Sequence, residues 1–466
     1  MKLTAKKLIE LDKKNIWHPF TQMGDWLNDD PCEPLIIERA KGSYLYDIYG
    51  RKYLDGVSSL WVNNLGHRNP KIDAAVKKQL AKVSHSTFLG LTHIPAIELS
   101  QKLLSILPKH LKKVFYSDNG STAVEIALKM AYQFWRFKGE RRTSFLSLRN
   151  AYHGDTVGAV SVGGTDLFHK SFKDLLFKAH FAPSPFCRKC FARKNEIPFL
   201  NKAKNFKEHC KIAGCGGQCV KKAEDILKKN GKNIAAAIIE PENQAAAGMI
   251  IMPAGYAAEY ANLCKKYNTL LIADEVATGF GRTGEMFAVE YSKIKPDFIC
   301  LSKGITGGYM PLAATITTDG IYNAFLGKYE EFKTFFHGHS YTANPLACAA
   351  ANAAIDIFKT DKILQKLKSK IAFFKNGLAA LSNHQKVGNI RHLGVMAGID
   401  IVKDKKTGAV YDYKLKTAAK ICAQMREDGI IIRNLGDTLV LFLPLTITVS
   451  EISKIIKSIA KRLDAL

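Results

Sequence analysis

The sequence predicts an open α/β fold with a smaller second domain. Three observations carry this. From about residue 71 onward, apolar runs of strand length alternate with helical patterns, as in sheets whose parallel strands are joined by crossover helices. Several of these runs (235–239, 270–273 and 298–301) are apolar at every position, which suits strands covered on both faces. After about residue 345 the pattern shifts to helices, followed by apolar runs at 387–401 and 430–443 that read as strands of the second domain.

In chain order, the first residues read as a helix, followed by a loop, Trp17-His-Pro-Phe-Thr-Gln-Met23. Short strands at 35–39 and 44–48, separated by Lys41-Gly42 and followed by a turn at Tyr49-Gly50-Arg51, form a small β-meander. Strands are then expected at 113–117, 144–148, 235–239, 269–273, 298–301 and 312–317. Between the first two lies a helix with apolar residues at 123, 126, 127, 130, 131 and 134, a stripe for one buried face. A polar loop from Gly338 to Asn344 opens a long apolar helix at 345–358.

The 466-residue chain is 47% hydrophobic, enough for a large core. No apolar run reaches membrane-spanning length, and the first residues lack the apolar centre of a signal peptide. A cytoplasmic enzyme is therefore expected, with no membrane partner. The net charge of +26 invites a nucleic-acid reading, but the lysines are dispersed and not interleaved with aromatics in a stripe, so no nucleic-acid partner is expected. Of ten cysteines, Cys187, Cys190, Cys210, Cys215 and Cys219 cluster, with His209 beside them. Their spacing approaches that of a zinc or iron–sulfur knuckle without matching a standard one. The competing readings are a solvated insertion with reduced thiols, and a metal- or nucleic-acid-binding module built on this segment.

The residues that point to chemistry stand at strand ends. Lys303 follows the run 298–301 and precedes Gly304, Gly307 and Gly308; Asp274 and Glu275 end the run 270–273. Ligands of open α/β sheets bind at the carboxyl edge, where these residues are delivered. A lysine desolvated there has a lowered pKa and a nucleophilic amine. An aspartate there can hold a pyridinium proton. An amine to anchor an aldehyde and an acid for a ring nitrogen are the two groups that pyridoxal phosphate chemistry needs. Gly120 and Ser121 begin a helix whose free N–H groups form an anion site, though an ordinary cap reads the same way. Tyr152, before Gly154, suits either stacking on a flat ring or packing in a turn. Glu240 ends another strand. Arg282 is expected to pair with Asp274 or Glu275, and the plain reading of Glu275 is a structural ion pair. Arg433 follows an apolar strand and suits either a carboxylate clamp or a salt bridge.

Taken together, Asp274-Glu-Val-Ala-Thr-Gly-Phe-Gly-Arg-Thr-Gly284 and Ser302-Lys-Gly-Ile-Thr-Gly-Gly308 resemble the class III pyridoxal-phosphate-dependent aminotransferases of fold type I. The likeness runs over nearly the whole chain. Within the class, residues 17–23, Asp55-Gly-Val-Ser-Ser-Leu-Trp61, 150–156 and 432–436 are similar to the biotin-pathway branch. Those enzymes aminate 8-amino-7-oxononanoate, with S-adenosylmethionine or, in some members, lysine as donor. The resemblance implies a small domain built from both termini (1–57 and 346–466) around a large cofactor domain (58–345) with the cysteine-rich insertion at about 184–222. It implies that Lys303 bonds covalently to the cofactor, Asp274 holds the ring nitrogen, and Gly120 with Ser121 binds the phosphate. It places Tyr152 by the ring and Phe20, Trp61, Gly338 and Arg433 by the substrates. It further implies a homodimer in which His339 and Ser340 reach the partner's phosphate. Three departures from the branch, Phe20, Leu60 and His339-Ser340, bear on the donor, and the loop around His339 looks more like the lysine-using members.

Overall fold

The computed structural model describes residues 3–186 and 203–466. Strands β1 (Ile37–Lys41), β2 (Tyr44–Asp47) and β3 (Lys52–Asp55) form the predicted meander. The central sheet follows with β4 (Leu111–Ser117), β5 (Ser144–Leu148), β6 (Ala179–Ala182) and β7 (Ile234–Ile239). A two-residue hairpin, β8 (Asn243–Gln244) and β9 (Ile250–Ile251), precedes β10 (Leu270–Asp274), β11 (Phe298–Leu301) and β12 (Ala313–Thr318). The seven strands are ordered β4-β12-β11-β10-β7-β5-β6. All contacts between neighbours are parallel except those of β12, which is antiparallel to both β11 and β4.

Alternation along these strands feeds two separate cores, because successive side chains point to opposite faces. Ala236, Ile238, Ile272, Phe298 and Cys300 pack with Ala123, Ile126 and Ala127 of the helix Gly120–Phe137. Ala237, Ile239, Leu271, Ala273, Ile299 and Leu301 pack on the other face with Tyr256, Phe287 and the helix Pro345–Thr360. Runs apolar at every position were therefore the correct signal for a sheet covered on both sides. Edge strand β6 was not expected from the sequence: Ala-His-Phe-Ala carries no apolar run, and its outer side has no strand to cover it.

The C-terminal strands are β13 (Val387–Leu393), β14 (Met396–Ile401), β15 (Ile430–Ile431), β16 (Arg433–Leu435) and β17 (Thr438–Phe442). Four form an antiparallel sheet, β13-β14-β17-β16. The fifth, β15, leaves them and pairs in parallel with β3, so that one small sheet contains strands from both ends of the chain. No described helix is long and apolar enough to cross a membrane.

Candidate active site

The parallel strands deliver their carboxyl ends to one edge. There β4 leads into Asp118 and Gly120, β5 into Tyr152 and His153, β7 into Glu240, β10 into Asp274 and β11 into Lys303. Because β12 runs the other way, its entry from Tyr309 to Leu312 arrives at the same edge. These residues, with Trp61, line a cavity of about 730 Å³.

Lys303 opens a short 3-10 turn with φ +44°, a left-handed backbone that a residue with a side chain holds only under constraint. Its Nζ lies 5.1 Å from the centre of the Trp61 ring. Loss of solvation pushes the lysine pKa down, and the opposing pull of Asp274 and Glu240 only partly restores it. The amine therefore spends more of its time unprotonated than a surface lysine does.

Asp274 is buried. Its Oδ2 lies 2.7 Å from His153 Nδ1, and its Oδ1 accepts from Val276 N at 3.0 Å. Glu240, also buried, accepts from the backbone N–H of Tyr152 and of Ala245, each at 3.1 Å. Burial first, and then the neighbouring Asp274, push the Glu240 carboxyl well above its ordinary range. Two acids and one amine thus share a water-poor edge, with His153 buried behind Asp274.

The helix Gly120–Phe137 starts where it does because Asn119 caps it. The Asn119 side chain accepts from Thr122 N at 3.1 Å, and the Thr122 hydroxyl accepts from Asn119 N at 3.2 Å. Ser121 Oγ accepts from Thr156 N at 3.0 Å and is bonded to Thr156 Oγ1 at 2.8 Å. Glycine is required at two places here. A Cβ on Gly120 would come within 2.5 Å of Val276 Cγ1, and one on Gly154 (φ +117°) within 2.4 Å of Ser121 Oγ. The Tyr152 hydroxyl donates to Asp155 Oδ2 at 2.6 Å, and burial pushes the phenol pKa up.

Trp61 ends an unusual turn. Ser58, Ser59, Leu60 and Trp61 have φ of +50°, +45°, +65° and +71°, a left-handed turn made without glycine. At roughly 1–2 kcal/mol per residue, such a turn stores several kcal/mol. The Trp61 ring stacks on Phe442 at 5.0 Å and 15°.

Two sequence expectations need correction here. Arg282 pairs with neither Asp274 nor Glu275; its guanidinium donates to Leu443 O at 2.6 Å, Ser58 Oγ at 3.2 Å and Trp61 O at 3.2 Å. Burial pushes it down to about 9, with Asp55 opposing. Among the described residues Glu275 forms no ion pair. It accepts from Ala288 N, Val289 N and Thr278 Oγ1 at 2.6–2.9 Å, and burial pushes it up to about 7. The Arg282 partners are remote in sequence, whereas Glu275 is satisfied by nearby Thr278 and by two backbone N–H groups further along the same segment.

Other expected residues stand further out. Phe20 is exposed and meets Phe168 edge-on at 5.7 Å, and Phe168 in turn stands edge-on to Tyr152 at 6.1 Å. Arg433 is directly opposite Val440 across β16 and β17, so its side chain is on the face that packs with Trp61 and Phe442, although it does not line this cavity. Gly338 and Ser340 are exposed, whereas His339 Nδ1 lies 2.8 Å from Asp118 Oδ2 at the cavity rim. Cys187 and Cys190 lie outside the described residues. Cys210 and Cys219 stand on the helices Phe206–Ala213 and Gln218–Asn230, partly buried. Among the described residues, no group of three or more His, Cys, Asp or Glu is placed to hold a metal ion. Sequence reasoning did not single out His153; its only signal is its place beside Tyr152, just past a buried strand.

The family model for class-III aminotransferases matches residues 28–463. The chain is a class-III aminotransferase. Aminotransferases of this class use pyridoxal 5'-phosphate. The chain is 49% identical to the adenosylmethionine-8-amino-7-oxononanoate aminotransferase of Aquifex aeolicus over 458 residues, 98% of this chain and 97% of that one. The solved structure of the enzyme of that name from Methanocaldococcus jannaschii superposes with a TM-score of 0.90 at 42% identity, covering 99% of each chain. An (S)-enantioselective omega-transaminase from Thermomicrobium roseum also reaches 0.90, at 30% identity, over 100% of this chain and 99% of that one. The residues of this aminotransferase fit the cofactor. The cavity holds a desolvated amine and a buried acid, and its rim is the N-terminus of an 18-residue helix at which a glycine is needed for close approach.

Proposed function

We propose that the chain transfers an amino group from S-adenosylmethionine to C7 of 8-amino-7-oxononanoate, giving 7,8-diaminononanoate for biotin synthesis. The observation that carries this reading is likeness at 44–49% identity, over nearly the full length, to several enzymes of that name, joined to a cavity with the matching amine and acid. Pyridoxal phosphate, when bound, supplies an aldehyde and an electron-withdrawing ring. Lys303 would be the amine that holds that aldehyde, and its Nζ the base in reach of a proton on the substrate carbon. Desolvation suits it to this task, because it favours the neutral amine, whose lone pair is free, over the ammonium. Asp274 would hold the ring nitrogen's proton, and its bond to His153 keeps the carboxylate oriented. Gly120 and Ser121 would hold the phosphate with the helix N-terminus. Tyr152 would cover the ring, Trp61 and Phe20 would line the substrate path, and Arg433 would take the keto acid's carboxylate.

The enzyme works as a cytoplasmic homodimer in which Gly338 belongs to the substrate path and His339 and Ser340 of the partner subunit complete the phosphate site. The exposure of Gly338 and Ser340, outside their own cavity, supports this. Residues 1–57 and 346–466 act as one small domain against 58–345, a division supported by the pairing of β15 with β3. The deciding experiment mixes purified holoenzyme separately with S-adenosylmethionine and with lysine, following the absorbance of the bound cofactor. S-adenosylmethionine should convert it and support diaminononanoate formation. Conversion by lysine alone would move the donor to lysine, the alternative that Phe20, Leu60 and the His339 loop raise. Turnover with γ-aminobutyrate or ornithine and none with the oxononanoate would end the reading. Lys303→Ala should abolish turnover, and full activity in that variant would refute the role given to the amine.

A further inference from the structure

We propose that His93 is a positioning residue for the cofactor: its imidazole holds the loop that carries His339 and Ser340, and so sets where that loop meets the phosphate. The inference rests on the reading above that this loop completes a phosphate site, and goes beyond it in assigning a residue that touches neither cofactor nor substrate.

His93 caps the helix Ile94–Ile106, its Nδ1 accepting from Ala96 N at 3.2 Å. Histidine is not among the residues that usually fill this position; asparagine, aspartate, serine and threonine offer a cap acceptor on a shorter side chain. What the imidazole adds is a second nitrogen on the far side of the ring. Nε2 lies 2.7 Å from Ala343 O, 250 residues along the chain. The two contacts require one state of the ring. Because Nδ1 accepts, the proton is on Nε2 and is donated to Ala343 O. Burial pushes the imidazole pKa down, which keeps the ring in this neutral form. Phe88 stands edge-on to the ring at 5.5 Å.

The carbonyl that His93 holds belongs to a strained residue. Ala343 is fully buried with φ +55°, a left-handed backbone that alanine keeps only under constraint. The loop is built onto it. Thr342 Oγ1 accepts from His339 N at 2.9 Å, Thr342 N donates to His339 O at 3.1 Å, and Asn344 N donates to Tyr341 O at 3.0 Å. Residues 339–344 are thus one closed turn. Asn344 caps the helix Pro345–Thr360 through Leu346 N and Ala347 N, and its Nδ2 donates to Ser84 O at 3.2 Å. The turn therefore hangs at its C-terminal end from two points of the segment 84–93. Loss of the His93 bond leaves the Ala343 peptide free to relax toward a right-handed or extended backbone, and His339 and Ser340 move with it.

The test compares full-length holoenzymes by their rate of pyridoxal phosphate loss on dialysis and by the phosphorus NMR resonance of the bound cofactor. Asparagine keeps a cap acceptor at the place of Nδ1 but has no atom at the place of Nε2. His93→Asn should therefore keep the helix start, shift the phosphate resonance and speed cofactor loss about tenfold, the share that one hydrogen bond to a charged group carries. Ser340→Ala sets the scale for the loop. If Ser340→Ala speeds the loss while His93→Asn moves neither rate nor resonance, the proposal is overturned. A full additive effect of His93→Asn in a background of His339→Ala and Ser340→Ala would overturn it too. If neither Ser340→Ala nor His93→Asn acts, the phosphate role of the loop falls, and this proposal with it. Mixed dimers locate the effect. With one Lys303→Ala subunit, the absorbance of cofactor held by Lys303 reports the other subunit's site alone. His93→Asn in the Lys303→Ala subunit should hasten loss from that site, and His93→Asn in the other subunit should not. The reverse would refute the partner-subunit reading while supporting the hold of His93 on the loop. Should His93→Asn fail to fold, Asn344→Asp keeps the cap acceptor of its helix, loses the donor to Ser84 O and carries the same readouts in smaller measure.

Discussion

Glu242, between β7 and β8 and two residues past Glu240, carries a buried carboxyl. It is 4% exposed, its one side-chain hydrogen-bond partner among the described residues is Ser292 Oγ, which donates at 2.6 Å, and burial raises it from 4.5 to about 7. Folding therefore tightens its hold on a proton. Below pH 4.5 both folded and unfolded chains are protonated there and the residue imposes no pH-linked penalty. As pH rises from 4.5 to 7 the unfolded chain releases its proton first, and stability falls; above 7 the loss is complete. A raise of about 2.5 units at 1.36 kcal/mol each gives a loss of about 3 kcal/mol. Glu242→Gln keeps an acceptor for Ser292 and removes the ionisation. The variant should gain stability relative to the parent at pH 8 by up to about 3 kcal/mol, a gain that shrinks toward zero or reverses at pH 4.5. Paired thermal melts of parent and variant across this range measure the effect, and other titrating groups cancel in the difference. A Tm difference that is the same at pH 5 and pH 8 would refute the reasoning, because it would leave Glu242 ionised or solvated in the folded chain.

Two further outcomes follow from the site. Gly120→Ala should weaken retention of pyridoxal phosphate on dialysis, because its Cβ meets Val276 at 2.5 Å; adding Val276→Ala should restore most of the loss, and failure to do so would mean the close approach is not to Val276. Asp274→Asn should lower kcat by roughly 10²–10⁴ while the protein still folds, since the amide keeps an oxygen for Val276 N but no charge for a ring nitrogen; activity within a few-fold of the parent would remove Asp274 from that role.

What could be read from the sequence depended on how local each cause was. Strands β7, β10 and β11 were legible because burial on both faces writes an unbroken apolar run. Lys303 and Asp274 were legible because a strand end fixes where its next residues go. Edge strand β6 was not, since one uncovered side removes the pattern. The partners of Arg282 lie 161 to 224 residues away, beyond any spacing rule, and the motif around it suggested the adjacent acids instead. The left-handed turn at Ser58–Trp61 carries no glycine to announce it. Phe20, Arg433 and the His339 loop were reached only through likeness to a family, since nothing in their local pattern separates a substrate contact from a packed or solvated side chain.

The reversed direction of β12 has a mechanical effect on the lysine. Residues 302–312 leave β11 and return along its immediate neighbour, with Leu301 opposite Ala314. Inside the connection, Ser302 Oγ donates to Leu312 O, and Thr306 Oγ1 to Met310 O. The segment bearing Lys303 is thus a closed staple, pinned at both ends to one sheet edge, and not a free loop between a strand and a distant helix. Bonds made and broken at Nζ, in the role proposed for Lys303, would leave that staple where it is. Travel of the amine would then be confined to rotations of its own four-carbon stem, on the fast side-chain timescale, and its return to the same spot after a turnover would need no movement of the backbone.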